Sequence, residues 1–441
     1  MSSRTSLPAH RNWRLDTGQH RVKAAKRRPA WKKAEADSAR LDALLDAAAV
    51  EFNARGVSGA RLSHIATQVG FTRAALYYYV DTREDLAFRC YARSCRTTAE
   101  DLAAARRAGR NGLKRLEAFL RLALDPQRAP AVVLSEVPHL GGERRREIES
   151  AHARNMRELR RFIEDGIADR SVRACNPEIV SQAIYGMVSW TPLAEGYVAG
   201  SGKSVRAHAA EALCDLVENG VAADAAFRFS CPLDYAAFTF RPGNVFDRRD
   251  ASAHKVELLV QTASRLFNRR GIDGTSLDDI TAELGATKGA FYHHLPEKRA
   301  LVLRCVQRAY DLYERFADAA THTDGSGLER SLIGLHLNCQ AQAAEDAPLS
   351  PLTGLEALPA RALAGIQERS ARIAKRFEQF NRAGIADASV RSFDMRTLSI
   401  AGAGAFGWIP KWRDAQSGPA PRAIADEIVS LFAHGLRSKS R

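Results

Sequence analysis

From Arg40 onward the apolar residues recur at intervals of three and four. The segment RLDALLDAAAVEFNARG (40–56) puts Leu41, Leu44, Leu45, Ala48 and Phe52 on one side, and Gly56 stops it. LSHIATQVG (62–70) reads as a second, shorter helix closed by Gly70. Thr72 then stands at an N-cap position before TRAALYYYV (72–80). A second set follows the same plan: HKVELLVQTASRLFNRRG (254–271), LDDITAELG (277–285) and TKGAFYHHL (287–295). Period-two alternation is rare elsewhere, so the pattern predicts an all-α fold. Two short helices joined by a Gly-containing turn form a helix-turn-helix, whose second helix enters a major groove with its N-terminal end first.

The second set is a copy of the first. Shifted by 215, residues 44–90 fall on 259–305 without a gap, and 16 of the 47 positions are identical. Shifted by 218, residues 162–192 fall on 380–410, with 13 of 31 identical. GIADRSVR (166–173) faces GIADASVR (384–391), and Trp190 and Pro192 face Trp408 and Pro410. Both ends of a unit of about 215 residues are duplicated, which is the copying of a two-part protein and not a solenoid of short repeats.

The third helix of each set has two faces. Leu76 and Val80, or Phe291 and Leu295, lie four apart and anchor one side in a small core. Arg73 and Tyr77, or Lys288 and Tyr292, lie four apart on the other side, where a cation reaches guanine or phosphate and a phenol donates to a phosphate oxygen. Ala or Gly at 74, 75, 289 and 290 allows close backbone approach.

FTRAALYYYVDTREDL (71–86) and ATKGAFYHHLPEKRAL (286–301) resemble the recognition-helix signature of TetR/AcrR-family transcriptional repressors, and both copies carry the upstream F-x-x-x-G element. The resemblance is tight over about 50 residues of each copy. It implies two tandem TetR-like units, each with three N-terminal helices for DNA and six or so larger helices that form a ligand pocket and a dimer interface. Carried over by position, the DNA-facing candidates are Thr72, Arg73, Ala74, Tyr77, Tyr78 and Tyr79 in copy one. In copy two they are Thr287, Lys288, Gly289, Tyr292, His293 and His294. Arg83 and Lys298 at the head of the fourth helix, and Arg40 and Lys255 on the first, fall where the family touches phosphate.

The charge agrees with a polyanionic partner: 65 Lys and Arg against 51 Asp and Glu give +14. Half of that excess lies in residues 1–39, read as a disordered basic arm that grips phosphates or is simply a solvated tail. Seven scattered cysteines with no C-x-x-C pair suit neither a disulfide framework nor zinc, and His293-His294 has no ligand-spaced partner, so no metal and no cofactor are expected. No apolar leader or 18-residue apolar run occurs, so the expected location is the cytoplasm, away from membrane. No P-loop, G-x-S-x-G or H-E-x-x-H motif supports an enzyme.

The expected division is an arm (1–39), a helix-turn-helix domain (40–88) and a regulatory domain (89–221), then an aromatic-rich linker (222–250) lying extended in a groove between the halves. A second helix-turn-helix domain (251–303) and regulatory domain (304–441) follow. Residues 144–220 and 361–437 would supply both halves of a dimer interface within one chain, an intramolecular pseudo-dimer. The alternative is a homodimer in which each copy pairs with its counterpart in another chain. The function expected is a ligand-responsive repressor reading a double-stranded operator through two unlike heads. The alternatives are an interaction protein with degenerate heads and a nonspecific DNA binder driven by the arm. Trp190 and Trp408, each on a Gly-containing helix, suggest packing between the halves. A second reading follows a Gly-x-x-x-Trp resemblance to acyl-CoA-sensing members, with Lys411 and Arg413 nearby for an anionic effector.

Overall fold

The computed structural model describes residues 30–129, 131–197, 202–240, 243, 247–285, 297–350, 358–414 and 417–438. The chain divides into two compact units, Met1–Asp42 and Ala43–Arg441. Within the first, residues 1–29 lie outside the described residues, and residues 30–39, expected to be disordered, are helical. Their Ala-rich sequence AWKKAEADSA explains the correction, since Ala, Lys and Glu are strong helix formers.

Among the described residues the only non-helical pairing is two isolated β-bridges. Copy one contains α1 (Ala30–Gly59), α2 (Leu62–Gln68), α3 (Arg73–Tyr79), α4 (Arg83–Ala108), α5 (Gly112–Ala123), α6 (Gly142–Ala168), α7 (Pro177–Tyr197) and α8 (Gly202–Asn219). Copy two contains α9 (Arg248–Arg270), α10 (Leu277–Glu283), α11 (Lys298–His322), α12 (Gly327–Ala343), α13 (Ala360–Ala386), α14 (Met395–Ala401), α15 (Gly404–Gly407), α16 (Ile409–Trp412) and α17 (Pro421–His434). Side-chain caps start many of these helices. Thr82 accepts from Asp85 N at 3.0 Å and Asn111 from Lys114 N at 2.9 Å, while Ser276 with Asp279 and Ser326 with Glu329 form capping boxes.

Among the described residues, five larger helices, not six, follow the first head. The regulatory domains begin inside α4 and α11, which run through the expected boundaries at 88 and 303. The core of the second head is accordingly continuous with its regulatory domain: Leu259, Phe267 and Ile280 cluster with Leu301, Cys305 and Tyr310 of α11.

The duplicated GIADxSVR motif explains itself at the ends of α6 and α13. Asp169 Oδ2 accepts from Gly112 N at 2.9 Å and Asp387 Oδ2 from Gly327 N at 2.8 Å, each satisfying an orphan amide at a helix start. Arg170 and Ala388 turn the chain at φ 64° and 61°. The next arginines cross to the other copy. Arg173 Nε donates to Gly435 O at 2.7 Å, and Arg391 Nε donates to Gly220 O at 2.6 Å. Bridges Val172–Arg437 and Ala222–Val390 run alongside. The two copies therefore join through reciprocal contacts, α7 and α8 against α14, α15 and α17.

Two other expectations change. The aromatic segment does not lie between the halves. From Ala222 it passes onto copy two, where Cys231 and Tyr235 bury with Phe316, Ile333 and Leu337, and Phe238 stands edge-on to Phe316 at 5.1 Å. The reason is apolar area, since α11 and α12 present an aromatic-matched surface that the segment covers. Phe246 and Pro242 lie outside the described residues. The second change concerns α7, continuous in copy one, whose counterpart in copy two breaks into α14, α15 and α16. Gly404 and Pro410 match Gly186 and Pro192, but Gly402 and Gly407 stand where α7 has Ile184 and Ser189, and the added glycines weaken the helix.

Candidate nucleic-acid interface and ligand cavity

In the first head, α2 and α3 form the expected helix-turn-helix. Thr72 caps α3, its hydroxyl accepting from Ala75 N at 3.1 Å. Leu76 and Val80 are each 1% exposed and fix the inner side. Thr72 and Ala74 are exposed on the outer side, with Tyr77 at 43% and Tyr78 at 70%. Large exposed rings on one short helix are unusual for a packed surface and suit a face that meets another molecule. Tyr79 differs: it is half-buried, stacked on Phe71 at 5.4 Å and edge-on to Tyr78 at 5.0 Å. It braces Tyr78 more than it presents itself. The Arg73 side chain lies outside the described residues.

Arg83 is exposed at the start of α4, and its Nη1 donates to Ser58 O at 2.6 Å. Arg40 is exposed on α1, and Lys255 on α9. Thr287, Lys288, Gly289, Tyr292, His293 and His294 lie outside the described residues. Lys298 opens α11 half-buried, and burial pulls its ammonium below the usual lysine range against the pull of Asp273, Asp279 and Glu136.

Two buried carboxylates were not anticipated. Glu51 in α1 is 3% exposed and accepts from His64 Nδ1 at 2.8 Å and Arg61 N at 3.2 Å, tying α1 to α2. Its counterpart in copy two is Leu266, so the two heads differ inside as well as outside. Glu136 is also 3% exposed, and its Oε2 accepts from Val57 N at 2.7 Å. The available signal was a lone acid inside the apolar run AVVLSEVPHL (131–140).

A cavity of roughly 240 Å³ lies in the second regulatory domain, walled by Tyr310, Tyr313, Phe377 and Phe406, with Trp190 and Val221 supplied by copy one. Trp190 Nε1 donates to Ile400 O at 2.8 Å, and Trp408 Nε1 reaches Gln182 Oε1 at 3.3 Å, so each tryptophan bonds to the opposite copy. Asn338 lines the cavity and is 5% exposed. Its Nδ2 donates to Gly334 O at 2.7 Å, while its buried Oδ1 accepts nothing. A buried amide oxygen left without a donor is open to one from a water or a ligand. The sequence offered no cue to Asn338, whose counterpart in copy one is Ala123.

Among the described residues that line this cavity there is no Lys or Arg. Lys411 Nζ donates to Ser135 O at 2.6 Å, and burial lowers its pKa to about 8. Arg413 Nε donates to Pro419 O at 3.1 Å. Neither is brought to the cavity that Trp190 lines.

Residues 44–90 and 259–305 both match the family described as bacterial regulatory proteins, tetR family, and residues 114–193 match the tetracyclin repressor-like C-terminal domain. An uncharacterised HTH-type transcriptional regulator of Bacillus subtilis, YuxN, is 40% identical over 57 residues, which are 13% of this chain and 20% of that protein. The HTH-type transcriptional regulator LmrA of the same organism is 33% identical over 94 residues, 20% of this chain and 49% of that protein. The matched stretches thus span a fifth to a half of these curated relatives. Among solved structures, the TetR-family regulator PfmR of Thermus thermophilus covers 40% of this chain and 96% of its own, at 19% identity and TM-score 0.35. AibR, solved with isovaleryl coenzyme A and operator DNA, covers 41% of this chain and 98% of its own, at 21% identity and TM-score 0.35. With two matching N-terminal domains at equal offset and a matching C-terminal domain between them, the chain belongs to the TetR family as a tandem duplication of two TetR-like units.

Proposed function

We propose that this chain is a cytoplasmic DNA-binding transcriptional regulator, a ligand-responsive repressor that reads an operator through two non-identical helix-turn-helix heads. The carrying observation is the reciprocal junction, in which Arg173 and Arg391 make the same bond to opposite copies. An arrangement of that kind lets one chain do what two subunits of a symmetric regulator do. A covalent link makes the second half-site encounter effectively unimolecular, and unlike heads free the operator from strict palindromy. The exposed pair Tyr77 and Tyr78 supports the first head as a DNA-reading surface, and the excess of +14 supports a polyanionic partner.

The effector reading rests on the aromatic cavity. The described lining residues are uncharged, which together with the unpaired Asn338 Oδ1 favours a neutral, mostly apolar molecule with one hydrogen-bond donor over a coenzyme A thioester, whose phosphates require cations. Because Trp190 and Val221 bring copy one to the cavity wall, a ligand there senses the arrangement of the two copies.

The test is selection of bound sites from a randomised duplex pool with the full chain near physiological salt. The proposal requires two different motifs at one fixed spacing, about one helical turn of 34–36 Å apart. A perfect palindrome, or no enrichment at all, contradicts it.

A further inference from the structure

The two heads meet at one buried carboxylate. The segment that carries it, Val132–Leu140, is apolar and buried through Val132, Val133, Leu134, Val137 and Leu140, with Ser135 and Glu136 buried among them. A carboxylate in such surroundings is tolerated only where donors and cations face it. Here Val57 N donates to Oε2, and Lys298 and Lys411 are near enough for its charge to bear on theirs.

The position of the carboxylate is unusual. Gly56 and Gly271 are the equivalent residues at which the first helix of each head turns out of helical geometry, with φ 72° and 82°. A Cβ on Gly56 would lie 2.6 Å from Glu136 Oε1, and a Cβ on Gly271 would lie 2.8 Å from Glu136 Cγ and 2.9 Å from Oε1. One side chain from copy one therefore fills the space in which both turns lack a side chain. The turns also face each other directly, since a Cβ on Gly59 would come 3.6 Å from Asp273 Oδ2. Lys411 Nζ holds the same segment through Ser135 O at 2.6 Å. Lys411 sits on α16, immediately after α15, whose Phe406 and Gly407 line the cavity.

We propose that Glu136 is a positioning residue that pins the two heads at a fixed separation, with Lys411 linking that pin to the cavity wall. The proposal rests on the reading of the heads as DNA-facing only for its consequence, which is selectivity for one half-site spacing. Its geometry stands without DNA. A head freed from the pin would hinge at Gly56 or Gly271, the points where each first helix already leaves helical geometry.

The test measures the distance between spin labels carried on noncanonical residues at Thr67 and Ala282, exposed and equivalent positions on α2 and α10, in the full chain without DNA. The wild type gives a single narrow distance peak. Glu136→Ala loses that peak to a broad distribution, while Glu136→Gln, which keeps the shape and an acceptor for Val57 N, retains it. Lys411→Met gives a broadened peak. Should Glu136→Ala not fold, Glu136→Asp takes its place, keeping the charge one methylene short of Gly271, and it too must broaden the peak. A wild-type distribution in a folded Glu136→Ala or Glu136→Asp variant overturns the proposal. A narrow peak lost on mutation, together with failure to select any DNA motif, would leave the pin standing and the DNA reading refuted.

Discussion

Gly186 on α7 and Gly404 on α15 face each other across the junction between the copies, and a Cβ on either would overlap the other's carbonyl oxygen. The flanking tryptophans share the constraint. A Cβ on Gly186 would stand 2.7 Å from Trp408 Cβ, and one on Gly404 would stand 2.6 Å from Trp190 Cβ. The two glycines are equivalent under the 218-residue offset, so the contact is reciprocal, each glycine meeting the other copy's glycine and tryptophan. Small residues here bring the backbones together and let each indole reach the opposite copy.

Gly186→Leu or Gly404→Leu forces the copies apart, at a cost of about 1–3 kcal/mol or more where the backbone cannot shift. Chemical denaturation should show a lowered midpoint, and the double variant should lose more DNA affinity than stability alone explains. Wild-type midpoints for both single variants would show that the junction is not held there.

The recognition face separates stability from binding. Tyr78, 70% exposed, can be truncated to Ala with a stability change within about 0.5 kcal/mol, yet operator affinity should fall. Tyr77→Phe should lose about 1 kcal/mol of binding, the worth of one hydroxyl hydrogen bond. Leu76→Ala, at 1% exposure, should instead cost about 2–5 kcal/mol of folding stability.

Mild acid should loosen the junction. His152 packs 4.9 Å from Tyr185 and 6.3 Å from Trp408 of the other copy, and burial lowers its pKa to about 4. The unfolded value is near 6.5, so the unfolded chain takes up the proton first. Stability is fully present above about pH 6.5 and is lost as pH falls towards 4, by at most about 3 kcal/mol from this group. Denaturation profiles of the wild type should therefore fall over that window, and those of His152→Phe should be flatter. Parallel profiles would contradict this placement of the imidazole.

The cavity makes a chemical prediction. Neutral aromatic alcohols and amines should raise the melting temperature of the wild type, and Asn338→Leu should abolish that rise while staying within about 1–3 kcal/mol of wild-type stability. An equal response in both proteins would show that Asn338 Oδ1 is not the recognition point.

Much of this was legible in the sequence, because local signals carried it. The cap Thr72, the stopping glycines and the inward pair Leu76 and Val80 are written within a few residues of where they act. The duplication also announced the junction, since GIADxSVR and the two tryptophans persist in both copies. What the sequence hid depends on contacts between distant segments. Glu136 meets Gly56 and Gly271 from 80 and 135 positions away, and Asn338 stands out only because the helix around it buries an oxygen that accepts nothing. The aromatic segment 222–250 was misplaced for a related reason. Its apolar content predicts burial, but only the surface of α11 and α12 says against what.

The account stands on one chain supplying both DNA-reading heads. The most direct measurement is the mass, by native mass spectrometry, of the complex formed on the selected operator at limiting protein. One 441-residue chain per duplex, with protection over two successive major grooves, is the predicted result. Two chains per duplex as the smallest bound species would contradict it.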